Sequence, residues 1–196
     1  MSKNVKKKLT ICILLAAILC LFVNKHNILQ TPTLTIETPQ KVSPSTTGEI
    51  TLDVTVSALG EALYPATSMS IAFDASRLEF ISVEEGNIFI RSDETENGQN
   101  LPDWTCNPEQ CNKTGRINIM YLDTTGGKNA FSKELLAKED NVVLRLKFRL
   151  RGSVRKGDVC DLIFEDAIFA ASDEKESLAM TTKTLRVRNG KIVIGD

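Results

Sequence analysis

A strictly alternating segment constrains the fold of this chain more than any other feature of its sequence. In NVVLRLKFRLR, residues 141–151, apolar and basic side chains take turns along most of the segment. The apolar positions are Leu144, Leu146, Phe148 and Leu150, and the basic positions are Arg145, Lys147, Arg149 and Arg151. Because successive side chains of a strand point to opposite faces, this period of two predicts a β-strand with one buried and one solvated face. We expect the basic face to pair across strands with acids such as Glu49 and Asp53.

The same pattern recurs along the chain. The other strand-like segments are a first strand near 34–38, EITLDVTVS (49–57), SMSIAFD (68–74), LEFISVEEGNIFI (78–90), GRINIMYLDTTGG (115–127), DVCDLIFEDAIFAAS (158–172) and TLRVRNGKIVIG (184–195). Turn residues separate them, and residues 91–114 are polar enough to predict a long loop. FSKELLAKED, residues 131–140, predicts one or two helical turns. About nine strands with almost no helix predict an all-β antiparallel sandwich.

Residues 1–30 predict a targeting element with a hydrophobic helix. Lys6, Lys7 and Lys8 precede an uncharged apolar run from Leu9 to Val23. This run is shorter than the roughly 20 residues of a spanning helix and resembles a signal-peptide core. An uncleaved membrane anchor, a cleaved signal peptide and lipidation at Cys20 remain open, and all three export residues 31–196. We therefore expect a domain at the cell surface or outside the cytoplasm, either anchored or secreted.

The charge distribution argues against a nucleic-acid partner. Residues 1–30 hold five of the 24 Lys and Arg residues and no acid, which leaves 19 basic against 25 acidic residues, a net charge of −6, for the body. An acidic surface repels phosphate backbones.

Few residues of the body suggest catalysis. The lone histidine, His26, lies before the body, and no nucleophile elbow is present. The acids near residues 84–96 have the composition of solvated turns. The sequence therefore predicts a protein that is not an enzyme and has no cofactor and no metal site.

Two cysteines flank the short loop WTCNPEQCN. Cys106 and Cys111 would close a small disulfide after export, and a metal pair is the alternative, although no second Cys or His pair accompanies them. Cys160 alternates within a strand and is expected to be a small buried residue. Trp104 precedes the loop. An exposed Trp104 would offer a platform for a carbohydrate, whereas a buried one would plug the end of the sandwich.

The strand GRINIMYLDTTGG has two apolar faces. Ile117, Ile119 and Tyr121 form one face, and Met120 and Leu122 make the other unusually apolar for a solvated surface. Apolar groups on an exported surface often mark contacts with a partner. Cover by FSKELLAKED is the alternative.

Taken in order, these segments resemble a bacterial cohesin domain. SIAFDASRLEFISVEEGNIF, GRINIMYLDTTGG, NVVLRLKFRLRGSVRKGD and the closing NGKIVIGD are each similar to cohesin strands and turns, over about residues 33–195. The resemblance implies a nine-stranded jelly-roll sandwich that recognises a dockerin-like protein in a polysaccharide-degrading or surface assembly. It places the partner on a sheet face formed by Ser68, Ser70, Ala72, Asn118, Met120 and Leu122. Because carbohydrate-binding modules share the fold, a polysaccharide ligand or a structural adhesion role remains the alternative.

Overall fold

The computed structural model describes residues 31–39, 41–60, 62–88, 104–127, 129–136, 141–172 and 179–195. In these segments the chain forms nine strands and one α-helix. The strands are β1 (Thr33–Ile36), β2 (Ile50–Val56), β3 (Ala66–Phe73), β4 (Leu78–Glu85), β5 (Arg116–Leu122), β6 (Val142–Leu150), β7 (Val159–Ala170), β8 (Arg186–Arg188) and β9 (Gly190–Val193). Helix α1 spans Pro108–Thr114, and a 3₁₀ turn spans Lys133–Leu135.

The strands form two sheets packed face to face. One has the order β4-β6-β2-β1-β8, and the other has the order β5-β3-β7-β9. The predicted all-β sandwich with nine strands is therefore confirmed, and the strand order is consistent with a jelly roll. Between the nine described strands, the pairings are antiparallel except that of β1 with β8, which is parallel.

The strictly alternating segment of residues 141–151 forms β6, which lies between β2 and β4. Leu144, Leu146 and Phe148 are fully buried between the sheets. The basic side chains point outward and meet acids of the neighbouring strands: Arg145 Nε lies 3.2 Å from Asp53, and Lys147 pairs with Glu84 and, at 3.6 Å, with Glu49. The expected ion pairs with Glu49 and Asp53 are confirmed.

Aromatic rings join the two sheets. Phe73 of β3 packs on Phe148 of β6 with ring centroids 5.6 Å apart, and Phe80 of β4 lies at the same distance from Phe148. A second group, Tyr121, Phe131 and Phe169, packs edge to face. Such contacts contribute beyond the area that they bury.

Helix α1 lies inside the segment that was predicted to be a loop, and that part of the prediction is wrong. The Asn107 side chain caps the helix by accepting a hydrogen bond from Gln110 N at 3.1 Å, and Pro108 occupies the first turn. Gly115 ends the helix with a φ of 67°, a left-handed conformation that glycine adopts without strain. These caps determine the helix, because it has no apolar periodicity.

The cysteines do not form the predicted disulfide. Cys106, Cys111 and Cys160 are thiols. Cys111 belongs to α1, where its side chain is buried in the core, whereas Cys106 lies before the cap residue Asn107 and is half-buried. The helix thus directs the Cys111 thiol toward the core rather than across a loop. Cys160 is buried in β7, as expected, and burial raises the pKa of its thiol.

The predicted hydrophobic helix of residues 1–30 lies outside the described residues, and the division at residue 31 remains a prediction. Among the described residues, no helix has the length and apolar character needed to cross a membrane.

Candidate functional site

Strand β5 displays the side chains that the sequence analysis singled out. Ile117, Ile119 and Tyr121 are buried, so the intervening Arg116, Asn118, Met120 and Leu122 face outward. Met120 is 58% exposed and Leu122 is 62% exposed. The described part of FSKELLAKED, which includes the 3₁₀ turn, therefore does not cover Met120 or Leu122.

The neighbouring strand β3 contributes only small side chains to this surface. In the register of the sheet, Ser68 lies opposite Met120, Ser70 opposite Asn118, and Ala72 opposite Arg116. The six predicted site residues are therefore brought together on two adjacent strands. Since β3 is flanked by larger side chains of β5 and β7, the small residues form a shallow trough along the middle of the face.

Strand β7 completes the surface with residues that the sequence analysis missed. Ile168 lies opposite Ser68, Asp166 opposite Ser70, and Ile163 opposite Ala72. Ile163 is 45% exposed. The surface is called the β3–β5–β7 face below and consists of Ala66, Ser68, Ser70, Ala72, Arg116, Asn118, Met120, Leu122, Ile163, Glu165, Asp166 and Ile168.

A polar cluster crosses the middle of the β3–β5–β7 face. Arg116 of β5 reaches over the small Ala72 and Ser70 to Glu165 of β7, donating from Nε and, at 2.9 Å, from Nη2. The Ser70 hydroxyl donates to Asn118 Oδ1 at 2.9 Å. Hydrogen bonding to Arg116 lowers the pKa of Glu165, and the same pair raises the pKa of Arg116. The Arg116–Glu165 pair therefore stays ionised at neutral pH. The cluster as a whole separates Met120 from Ile163 on the face.

Backbone contacts hold β5 at the edge of the sheet. The segment after Trp104 forms an isolated bridge to β5, in which Thr105 N donates to Met120 O at 2.9 Å and Met120 N donates to Thr105 O at 3.1 Å. At the end of β5, Asp123 N donates to Pro65 O at 2.6 Å. Met120 thus has a fixed main chain and an exposed side chain.

The loop after β5 is closed by the Asp123 carboxylate. Its Oδ1 accepts Thr125 N at 2.7 Å and the Thr125 hydroxyl at 2.5 Å, and its Oδ2 accepts Gly127 N at 2.6 Å. Burial acts to raise the pKa of Asp123, but these hydrogen bonds outweigh it and lower the pKa. Tyr121, whose hydroxyl donates to Asn129 O at 2.6 Å, has a pKa raised by burial and by the nearby Asp123.

Trp104 does not provide the exposed ring that a carbohydrate platform requires. Its side chain is only 6% exposed, and its ring lies 5.4 Å from that of Tyr121 and 6.1 Å from that of Phe131, centroid to centroid. Trp104 therefore plugs the end of the sandwich behind β5, the second of the two arrangements considered from the sequence.

Within the described segments, no group of three or more His, Cys, Asp or Glu side chains is placed to hold a metal ion. The β3–β5–β7 face instead combines exposed apolar side chains, a small-residue trough and a fixed ion pair.

These features define an all-β sandwich module with one exposed, partly apolar sheet face. The model of the Cohesin domain family matches residues 33–189, and the chain belongs to this family. None of the curated proteins matches it.

Several solved cohesins are similar to the chain in fold. The OlpA cohesin of Clostridium thermocellum, solved in complex with the dockerin Doc918, is 19% identical with a TM-score of 0.59, over 84% of this chain and 99% of that one. The sixth cohesin of Acetivibrio cellulolyticus scaffoldin B, in complex with a Cel5 dockerin variant, is 18% identical with a TM-score of 0.59 and the same coverage. A non-cellulosomal cohesin of the archaeon Archaeoglobus fulgidus is 14% identical with a TM-score of 0.53, over 85% and 92% of the two chains. At these identities the likeness establishes the fold.

Proposed function

We propose that the chain is a non-catalytic receptor that binds a dockerin-like protein module through the β3–β5–β7 face. The observation that carries the proposal is the exposure of Met120 and Leu122 side by side on one strand of a cohesin-type sandwich. Family membership and the complexes of similar cohesins with dockerins support a protein partner.

The surface has the physical character of a helix-docking site. Met120 and Leu122 stand beside the trough of small β3 residues, so a helix can approach the sheet closely at this point. Methionine adapts its side chain to an irregular partner surface. Burying a side chain of this size contributes about 1.5–3 kcal/mol, which makes these two residues the expected centre of the contact.

We propose that residues 1–30 export the domain and keep it at the cell surface or release it, within a polysaccharide-degrading or other surface assembly. The lysines before the apolar run from Leu9 to Val23 support this part. A polysaccharide ligand is not proposed, because Trp104 is buried.

One experiment tests both binding and export. The full chain is produced in a Gram-positive bacterial host, and intact washed cells are incubated with labelled dockerin modules, including Doc918, the Cel5 dockerin and any encoded beside this chain. We expect label on cells that carry the wild type. Met120→Asp should weaken binding roughly 100-fold, because docking would bury an unpaired carboxylate.

Thr51→Asp is the matched control. Thr51 is an exposed β2 residue on the outward face of the other sheet, opposite Lys147 in register, so the new charge is accommodated. This variant should bind like the wild type, and far-UV circular dichroism should show that both variants fold. Equal capture by Met120→Asp would reject the face, and capture only after cell lysis would reject export alone. If no dockerin bound to intact or lysed cells, the partner class would be wrong.

A further inference from the structure

A β-bulge changes the pattern of side chains on β7. The register between β3 and β7 shifts at this point: Ser70 lies opposite Asp166, but the next residue of β3, Ile71, lies opposite Phe164. Glu165 is the extra residue, and both Glu165 and Asp166 are exposed. Regular alternation would turn one of the two carboxylates inward, whereas the bulge places both on the β3–β5–β7 face.

Only one of these two carboxylates is neutralised on the sheet. Glu165 forms an ion pair with Arg116. Asp166 accepts the Ala167 N–H at 2.9 Å through Oδ1, and no cation lies within ion-pair distance of it among the described residues. The face therefore presents one uncompensated negative charge beside a fixed, neutralised pair.

The position of Asp166 relative to Met120 follows from the register. Asp166, Ser70 and Asn118 form one row across the three strands, and Met120 lies two residues further along β5 than Asn118. With strands about 4.8 Å apart and a rise of about 3.4 Å per residue, the Cα atoms of Met120 and Asp166 are separated by about 12 Å. This distance corresponds to about two turns of an α-helix, or seven to eight residues.

We propose that Asp166 determines partner specificity by pairing with a Lys or Arg side chain of a docked helix. On the docked helix, this Lys or Arg lies two turns away from the apolar side chain of the same helix that covers Met120 and Leu122. This inference rests on the proposed function and adds to it the chemistry that the partner must carry. Docking removes water from around Asp166, which strengthens a charge-assisted hydrogen bond to the incoming cation and disfavours a helix with an acid at that position.

A selection experiment with a helix library tests this inference without a known natural partner. The full chain in mild detergent is used to select binders from a phage-displayed helical bundle with one randomised helix face. Clones that also bind Met120→Asp are removed, so that the binders kept are those that use the β3–β5–β7 face. We expect enrichment of Lys or Arg seven or eight residues from an apolar side chain. Selection on Asp166→Lys should enrich Asp or Glu at the same spacing.

The affinities of the selected binders provide the second measurement. Asp166→Asn should weaken binding about 10-fold at low salt and less at high salt, because the lost interaction is ionic. Asp161→Asn is the matched control, since it removes the same charge from an exposed outward position of the same strand. It should change affinity by less than about two-fold, as expected for a charge at the rim.

Three results would overturn the inference: no charge preference at the selected position, an equal loss for Asp161→Asn, or no face-specific helical binder at all. Failure of this inference can be told apart from failure of the proposed function. Dockerin capture that depends on Met120 but not on Asp166 rejects only the inference. If the selected helices show the expected charge preference but no dockerin is captured, only the assignment of a dockerin as partner is rejected.

Discussion

At the scale of single residues, Asp123 shows how one carboxylate supports the β3–β5–β7 face without belonging to it. Asp123 follows β5 and gathers the backbone of the next four residues through hydrogen bonds to Thr125 and Gly127. Thr125 continues the network, because its hydroxyl oxygen accepts Asn129 N at 3.1 Å. The loop therefore depends on an acceptor with two charged oxygens at residue 123.

We expect Asp123→Asn to destabilise the fold by about 1–3 kcal/mol at pH 7, because the amide nitrogen cannot accept the hydrogen bond from Gly127 or Thr125. The pKa of Asp123 is lower in the folded state than in the unfolded state. Its contribution to the free energy of unfolding is thus complete above the unfolded pKa and is lost as the pH falls through the folded pKa. The gap between wild type and variant should shrink in acid.

Urea unfolding at pH 7 and at pH 3 measures this gap. Asp161→Asn, an exposed acid on β7, is the control and should show little change at either pH. A gap that stayed constant, or that grew in acid, would mean that the charge of Asp123 does not stabilise the loop.

At the scale of secondary-structure elements, α1 protects an edge of the five-stranded sheet. The Asn112 side chain donates to Phe80 O at 2.8 Å and accepts from Phe80 N at 2.8 Å. One amide side chain thus occupies the place of a neighbouring strand at that point of β4. Such cover satisfies main-chain groups that an edge strand would otherwise leave exposed to unwanted pairing.

We expect Asn112→Ala to lower the free energy of unfolding by about 1–3 kcal/mol, because it leaves both main-chain groups of Phe80 without their partner. Thermal unfolding followed by circular dichroism measures the loss. Lys113→Ala, next to it on the same helix, removes only an exposed pair with Glu109 and should cost less than about 0.5 kcal/mol. Equal losses for the two variants would show that Asn112 acts through helix stability alone.

The sequence predicted strands well because each carries its own signal. In β5 and β6 the period of two directly reflects which side chains are buried. Helix α1 has seven residues and no apolar stripe, so only Asn107, Pro108 and Gly115 marked its ends. The consecutive acids Glu165 and Asp166 interrupt the alternation of β7 at the bulge, so a strict period of two could not assign both of them to one face, and this part of the face was missed. The sequence could not predict the parallel pairing of β1 with β8. This pairing joins segments that are far apart along the chain, and neither segment carries a local pattern that identifies its neighbour.

At the scale of the whole molecule, the two sheets are joined by aromatic side chains near Phe148. This residue packs against Phe80 in its own sheet and against Phe73 in the other. The single tryptophan, Trp104, lies in a separate aromatic group with Tyr121 and Phe131. The chain therefore has two aromatic groups within one hydrophobic core, and a natural fluorescence probe in one of them.

We expect Phe148→Ala to cost about 3–5 kcal/mol, because it leaves a cavity between the sheets. Urea unfolding followed by far-UV circular dichroism and by Trp104 fluorescence should give one shared midpoint, shifted equally for both signals. Arg149→Ala, the exposed neighbour on β6, should cost no more than about 1 kcal/mol. Separate midpoints for the two signals would mean that the parts of the core around the two aromatic groups unfold independently.

The position of β1 has a mechanical consequence. This strand lies inside the five-stranded sheet, hydrogen-bonded to β2 on one side and to β8 on the other. A pulling force applied at residue 31 acts along the axis of β1. It therefore strains the hydrogen bonds to both neighbours in shear, all at once, rather than opening them one after another. A domain held by this end, with a partner pulling on the opposite sheet, would therefore resist extension through a strand that is hydrogen-bonded along both of its edges.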